Sequence, residues 1–133
     1  MIRSGFAAAA FAALLTAGCN GGVVDPSQNQ SQTLTGTVQP GGIDVQTFSV
    51  SKSGEFFVTV SQVTPTLQSG ATFTIVFGQP TSGVCAPVQT TPYGRVGNNL
   101  LSGAIQPGSY CIAVVDQGFF TQAETYTMTV QHP

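Results

Sequence analysis

The side chains that could do chemistry are few. The 133-residue chain holds one histidine, three cysteines and five carboxylates. A Ser–His–acid device needs an imidazole held in place by its neighbours. His132 is the penultimate residue, where chains usually fray, so it reads as a solvated tail residue rather than a general base. A glycosidase pair needs two carboxyl groups about 5–9.5 Å apart across a cleft. Asp25 falls in a polar segment, while Asp44, Glu55, Asp116 and Glu124 fall at expected strand ends or turns. Solvation and turn capping are the ordinary work of carboxylates there. A calcium site joining Asp44 to Asp116 or Glu124 would call for an Asp-rich loop, which the sequence lacks. No catalytic residue, metal ligand or cofactor is assigned. The expectation is a protein that is not an enzyme.

The cysteines say more. Met1-Ile2-Arg3-Ser4 carries one side-chain charge, and Phe6 to Leu15 is apolar throughout. Ten residues at about 1.5 Å each cannot cross a hydrocarbon core of roughly 30 Å, but they suit the apolar part of a signal peptide. Small residues Ala17 and Gly18 then precede Cys19. This stretch resembles the lipobox of bacterial lipoproteins, with Thr16 standing where that family favours leucine. The resemblance implies removal of residues 1–18 and lipidation of the Cys19 thiol with a diacylglyceryl group. Each buried CH₂ contributes about 0.8 kcal/mol, so two or more chains anchor stably. The partner so implied is the membrane, through the lipid, and the location is the cell envelope. Asn20, rather than Asp, resembles lipoproteins sorted to the outer membrane where the host is Gram-negative.

With Cys19 assigned to lipid, Cys85 and Cys111 are expected to form a disulfide in an oxidising compartment. Their spacing fits neither CxxC nor zinc ligation. Chain entropy gives about 3.5 kcal/mol for the loop they would close.

Beyond residue 18 the only cations are Lys52 and Arg95, against five carboxylates. No basic patch exists, which excludes the electrostatic footprint of a nucleic-acid binder. The expected organisation is a signal peptide over 1–18, a lipidated cysteine and flexible tether over 19–33, and one domain over 34–133. Asn20 to Gln32 is rich in Gly, Ser, Asn and Gln, and its typical reach is ~20 Å.

From Leu34 onward, period-two runs alternate with turn signals. Strands are expected over Leu34–Val38, Val45–Ser51, Glu55–Val63, Thr72–Gly78, Tyr110–Val115 and Thr125–Gln131. Phe73, Ile75 and Phe77 share one face, as do Tyr126, Met128 and Val130. Gln79 to Asn98 contains three prolines, so only a short edge strand, Val84–Val88, is expected there. No helical period of useful length follows Cys19. The fold class is all-β: an antiparallel sandwich or jelly roll of about seven to eight strands.

The order Gly36–Val60 (GTVQPGGIDVQTFSVSKSGEFFVTV), Ile105–Gly118 (IQPGSYCIAVVDQG) and Glu124–Val130 (ETYTMTV) resembles the bacterial pre-peptidase C-terminal domain. That family is a β-sandwich commonly appended to secreted peptidases. The resemblance covers Leu34 to Gln131 and brings no catalytic residues with it.

Binding then rests on aromatic side chains outside confident strands: Tyr93, Phe119 and Phe120. The chain has no tryptophan. The polar flanks of Phe119-Phe120 suggest an exposed loop, with one Phe of the pair folded back onto the sandwich edge. With Tyr93 it would form an apolar contact patch. The expected function is that of a membrane-anchored envelope lipoprotein carrying a non-catalytic interaction or accessory module, its partner an envelope protein or a glycan. A glycan- or peptidoglycan-binding module is the alternative, and a small hydrolase ranks third.

Overall fold

The computed structural model describes residues 22–133, so Cys19, the expected signal peptide and the first residues of the expected tether lie outside the described residues. Eight strands follow one short 3₁₀ turn at Pro26–Gln28: β1 Gln30–Val38, β2 Ile43–Val50, β3 Gly54–Thr64, β4 Phe73–Thr81, β5 Val84–Gly94, β6 Asn99–Ile105, β7 Gly108–Val115 and β8 Glu124–His132. They form two four-stranded sheets, β1-β8-β3-β6 and β2-β7-β4-β5, paired antiparallel throughout. The sandwich expected from the alternating runs is the fold observed. Successive strands run in opposite directions, so the connections segregate. Segments 39–42, 65–72, 95–98 and 116–123 lie at one end, here the upper end. Segments 51–53, 82–83 and 106–107 lie at the lower end with residues 22–29.

The core is the set of inward positions that period two dictates. Phe56, Val58 and Val60 of β3 and Tyr126, Met128 and Val130 of β8 face Phe73, Ile75 and Phe77 of β4 and Ile112 and Val114 of β7. In the lower half Phe77 stacks on Phe56 at 4.3 Å and on Tyr110 at 5.3 Å between ring centroids. Such pairs add about 0.5–1.5 kcal/mol to what area burial alone contributes.

The second sheet also buries part of its outer face. Cys111 and Ala113 alternate with the core residues Ile112 and Val114, and with Cys85 they form a separate cluster covered by Val45, Val76 and Val115. The expected Cys85–Cys111 disulfide is present, with Cα atoms 5.7 Å apart. Strands two apart in a flat sheet would lie about 9.5 Å from each other. Since β4 stands between β5 and β7, the end of the β4–β5 hairpin must fold across its own sheet. The ladder shifts register between Phe77 and Gly78, and a Cβ on Gly78 would collide with the Ala86 carbonyl. The bulge and the missing side chain allow the fold-over, and the disulfide fastens it.

Three expectations change. First, β1 begins at Gln30, inside the segment expected to be tether. Upstream of it Val24 N donates to Ser53 O, Asn29 Nδ2 donates to Glu55 O, and Asp25 caps the 3₁₀ turn by accepting from Ser27 N. The polar composition suggested a loose chain, but these residues fasten the segment to the lower end through hydrogen bonds. Second, Gln79 to Asn98 is largely strand. β4 runs to Thr81, and β5 is eleven residues long. Pro87 and Pro92 are tolerated because β5 is an edge strand and Pro87 pairs at the bulge opposite Gly78, while Pro80 lies on β4 beyond Gly78, where its pairing with β7 ends. Third, His132 does not fray. It pairs with Gln30, is buried, and packs its ring 5.4 Å from that of Phe48.

Candidate functional site

The upper end is organised by Asp116, which leaves β7 buried. Its Oδ2 accepts from Gly41 N at 2.6 Å, and its Oδ1 accepts from Gly118, Phe119 and Phe120 N at 2.8–3.1 Å. Its own N–H donates to Gly42 O. One carboxylate thus holds the β1–β2 turn and the 116–123 loop together. Burial pushes its carboxyl pKa up, but the N–H groups of Gly41, Phe119, Phe120 and Gly118 outweigh that and hold it below its ordinary value. Gln117 Nε2 donates to Thr74 Oγ1, which donates to Pro92 O, so the loop is also fastened to β4 and β5. Thr74 is buried, and these bonds satisfy its hydroxyl.

The loop separates the two phenylalanines expected to form a contact patch. Phe120 joins the core at 7% exposure, while Phe119 is 49% exposed. Phe120 is therefore not a surface contact: the Asp116 bonds turn its backbone inward. Tyr93, at 75% exposure, stands on edge strand β5 near the same end. No ring contact joins Tyr93 to Phe119 among the described residues.

The remaining upper-end carboxylates are engaged or enclosed. Asp44 accepts from the Tyr126 hydroxyl at 2.6 Å and from Gln46 Nε2 at 3.0 Å. Burial, followed by the hydrogen bond to Asp44 and its charge, pushes the Tyr126 hydroxyl well above its ordinary value. Gly36 opens the space for this pair, because a Cβ there would collide with the Asp44 carboxylate.

Glu124 does not solvate the surface as expected. It is 5% exposed, and its Oε2 is buried with no hydrogen-bond partner among the described residues. It lines an apolar crevice with Val60, Val63, Phe73, Val114, Phe120 and Tyr126, too tight for a water molecule. Burial raises its pKa above the ordinary value. A raised folded-state pKa means the folded chain binds the extra proton more readily. The cost is absent below about pH 4.5 and grows as pH rises through the folded value. Glu124→Gln is expected to exceed wild type in stability by about 1–2 kcal/mol at about pH 8 and to match it near pH 4. Urea unfolding at the two pH values measures this, and equal stability at both would contradict it.

A cleft of about 410 Å³ opens beside these groups. Its walls are the end of β3 (Ser61–Val63), the β3–β4 loop (Thr66–Gln68, Gly70, Ala71) and Arg95 and Val96 of the β5–β6 turn. Gly97 N donates to Val60 O at 2.8 Å and fixes that turn against β3. Leu67 packs on the core and seats the opposite wall. Arg95 makes no ion pair or hydrogen bond among the described residues. Sequence reading missed this cleft because its walls come from three separate segments without a local pattern.

His132 and Glu124 close opposite ends of β8, about 27 Å apart at ~3.4 Å per residue. The histidine is thereby kept from the upper-end carboxylates. Among the described residues no three His, Cys, Asp or Glu side chains converge as metal ligands would.

No family model matches the chain, and no curated protein matches it significantly. Among solved structures, a mitogen from Yersinia pseudotuberculosis is similar at 12% identity and a TM-score of 0.52, over 79% of this chain and 87% of that one. The pre-peptidase C-terminal domain of a collagenase from Bacillus anthracis is similar at 21% identity and a TM-score of 0.48, over 75% of this chain and 88% of that one. What the mitogen shares with this chain is the fold.

Proposed function

We propose that this chain is a lipid-anchored envelope protein whose sandwich is a non-catalytic module presenting its upper end to a partner. The observation that carries the reading is directional. Residues 22–30, which lead back toward Cys19, lie at the lower end, while the Arg95 cleft and Phe119 lie at the upper end. Val24 is already fastened to the lower end, and the five residue steps from Cys19 to Val24 reach at most about 18 Å. A lipid on Cys19 therefore holds the lower end near the bilayer and turns the upper end away from it. The sequence pattern shared with pre-peptidase C-terminal domains supports an accessory role, since that family lends no catalytic residues. A glycan-binding reading has less support, because no aromatic side chain lines the cleft.

Site-specific photo-cross-linking in cells tests the reading. A photoreactive side chain at position 119 is expected to capture an envelope component that the same group at position 52, in the lower-end 51–53 turn, does not. Identical products from both positions, or none from position 119, would overturn it.

A further inference from the structure

We infer that the Arg95 cleft binds the terminal carboxylate of a peptide whose last side chain is small and apolar. This rests on the upper end being the partner-facing one. The first support is charge. Arg95 and Lys52 are the only cations among the described residues, and Lys52 lies at the lower end. The upper-end carboxylates cannot neutralise Arg95 from within the cleft, because none of them lines it. Asp116 is committed to four backbone N–H groups, Asp44 to Tyr126 and Gln46, and Glu124 is enclosed. An exposed guanidinium free of internal partners is a planar donor fork, and a carboxylate is the anion that fills it with two parallel hydrogen bonds.

The second support is the lining. Val63, Leu67, Ala71 and Val96 supply apolar wall, while Thr66 and Gln68 supply neutral hydrogen-bonding groups. Ser61 Oγ and Gln62 Nε2 are already spent on Thr127 O and Thr64 Oγ1. The remaining chemistry is one cation, a few amide or hydroxyl partners and a small apolar surface. That combination fits the end of a peptide better than a sugar, which would want an aromatic platform. The volume, about 410 Å³, lies in the range of small-ligand sites and admits only a few residues. The third support is rigidity. The Gly97–Val60 hydrogen bond and the seated Leu67 fix both walls before a ligand arrives, which lowers the cost of ordering.

The test uses the purified exported protein in detergent and acetyl-Ala-Ala as probe, once as free acid and once as terminal amide. Backbone amide resonances of Thr66, Gly70 and Val96 are followed by NMR during titration. The acid is expected to give saturable shifts at these residues. The amide, and the acid with Arg95→Gln, are expected to bind at least about tenfold more weakly, with Arg95→Lys between them. Equal binding of acid and amide, insensitivity to Arg95→Gln, or no saturable shift up to about 10 mM would overturn the assignment. Arg95 is exposed, so its variants retain the fold. The cross-linking experiment separates the two ideas. Capture from position 119 without dipeptide binding removes the carboxylate site and leaves the partner-facing reading standing. Dipeptide binding without capture does the reverse.

Discussion

Asp116→Ala is expected to destabilise the domain by about 3–5 kcal/mol, because it breaks a buried hydrogen-bond network. Four backbone N–H groups lose a charged acceptor at once. Each such bond contributes about 1.5–3 kcal/mol in isolation. The four share one carboxylate, so their losses do not add, and partial hydration of the turn offsets some of the cost. Asp116→Asn keeps one acceptor oxygen and loses the charge, and should fall between Ala and wild type. The pH dependence carries a definite sign. The folded-state pKa of Asp116 lies below its ordinary value, so its contribution is complete above about pH 4 and is lost as pH falls through the folded value. Urea unfolding of wild type and Asp116→Ala should therefore show a gap at pH 7 that narrows toward pH 2–3. A constant gap would mean the loss comes from packing rather than from the carboxylate.

The second large effect separates two adjacent residues. Phe120→Ser is expected to cost about 3–5 kcal/mol, as truncation of a buried Phe does, while Phe119→Ser stays within about 0.5 kcal/mol of wild type. Thermal unfolding of both variants decides it. Similar midpoints would mean that the loop does not seat Phe120 in the core. Phe120 and Asp116 meet at one backbone N–H, so a double variant should lose less than the sum of its parts.

The fold was legible wherever alternation was strict. Phe73, Ile75 and Phe77, like Tyr126, Met128 and Val130, sit in the core on the face their spacing dictates. It was obscured where the strand rules are relaxed. In β5, Pro87 and Pro92 lie on an edge strand that does not need every N–H, so they signalled a loop where there is a ladder. β6 was missed because Asn99–Ile105 is short and carries Ser102 and Gly103 in its middle. The disulfide followed from the cysteine count and the oxidising compartment that the sequence leads one to expect, whereas its outer-face cluster depends on which strands flank β4. At the upper end, Asp116 was legible as a turn-capping residue. Nothing local marked Glu124 for burial, because its environment comes from β3, β4, β7 and the 116–123 loop. Arg95 stood out only as one of the two cations beyond residue 18. The cleft beside it is a product of tertiary structure.

β1 and β8 are antiparallel over nine facing residue pairs, from Gln30 opposite His132 to Val38 opposite Glu124. The start of β1 is at the lower end, and the start of β8, directly after the 116–123 loop, is at the upper end. A force applied between those two points runs along the strands. It tries to slide β1 past β8 and loads the whole ladder together, whereas a peeling force would break one bond after another. A domain held at residue 30 and tugged at its upper loops is pulled in its mechanically resistant direction.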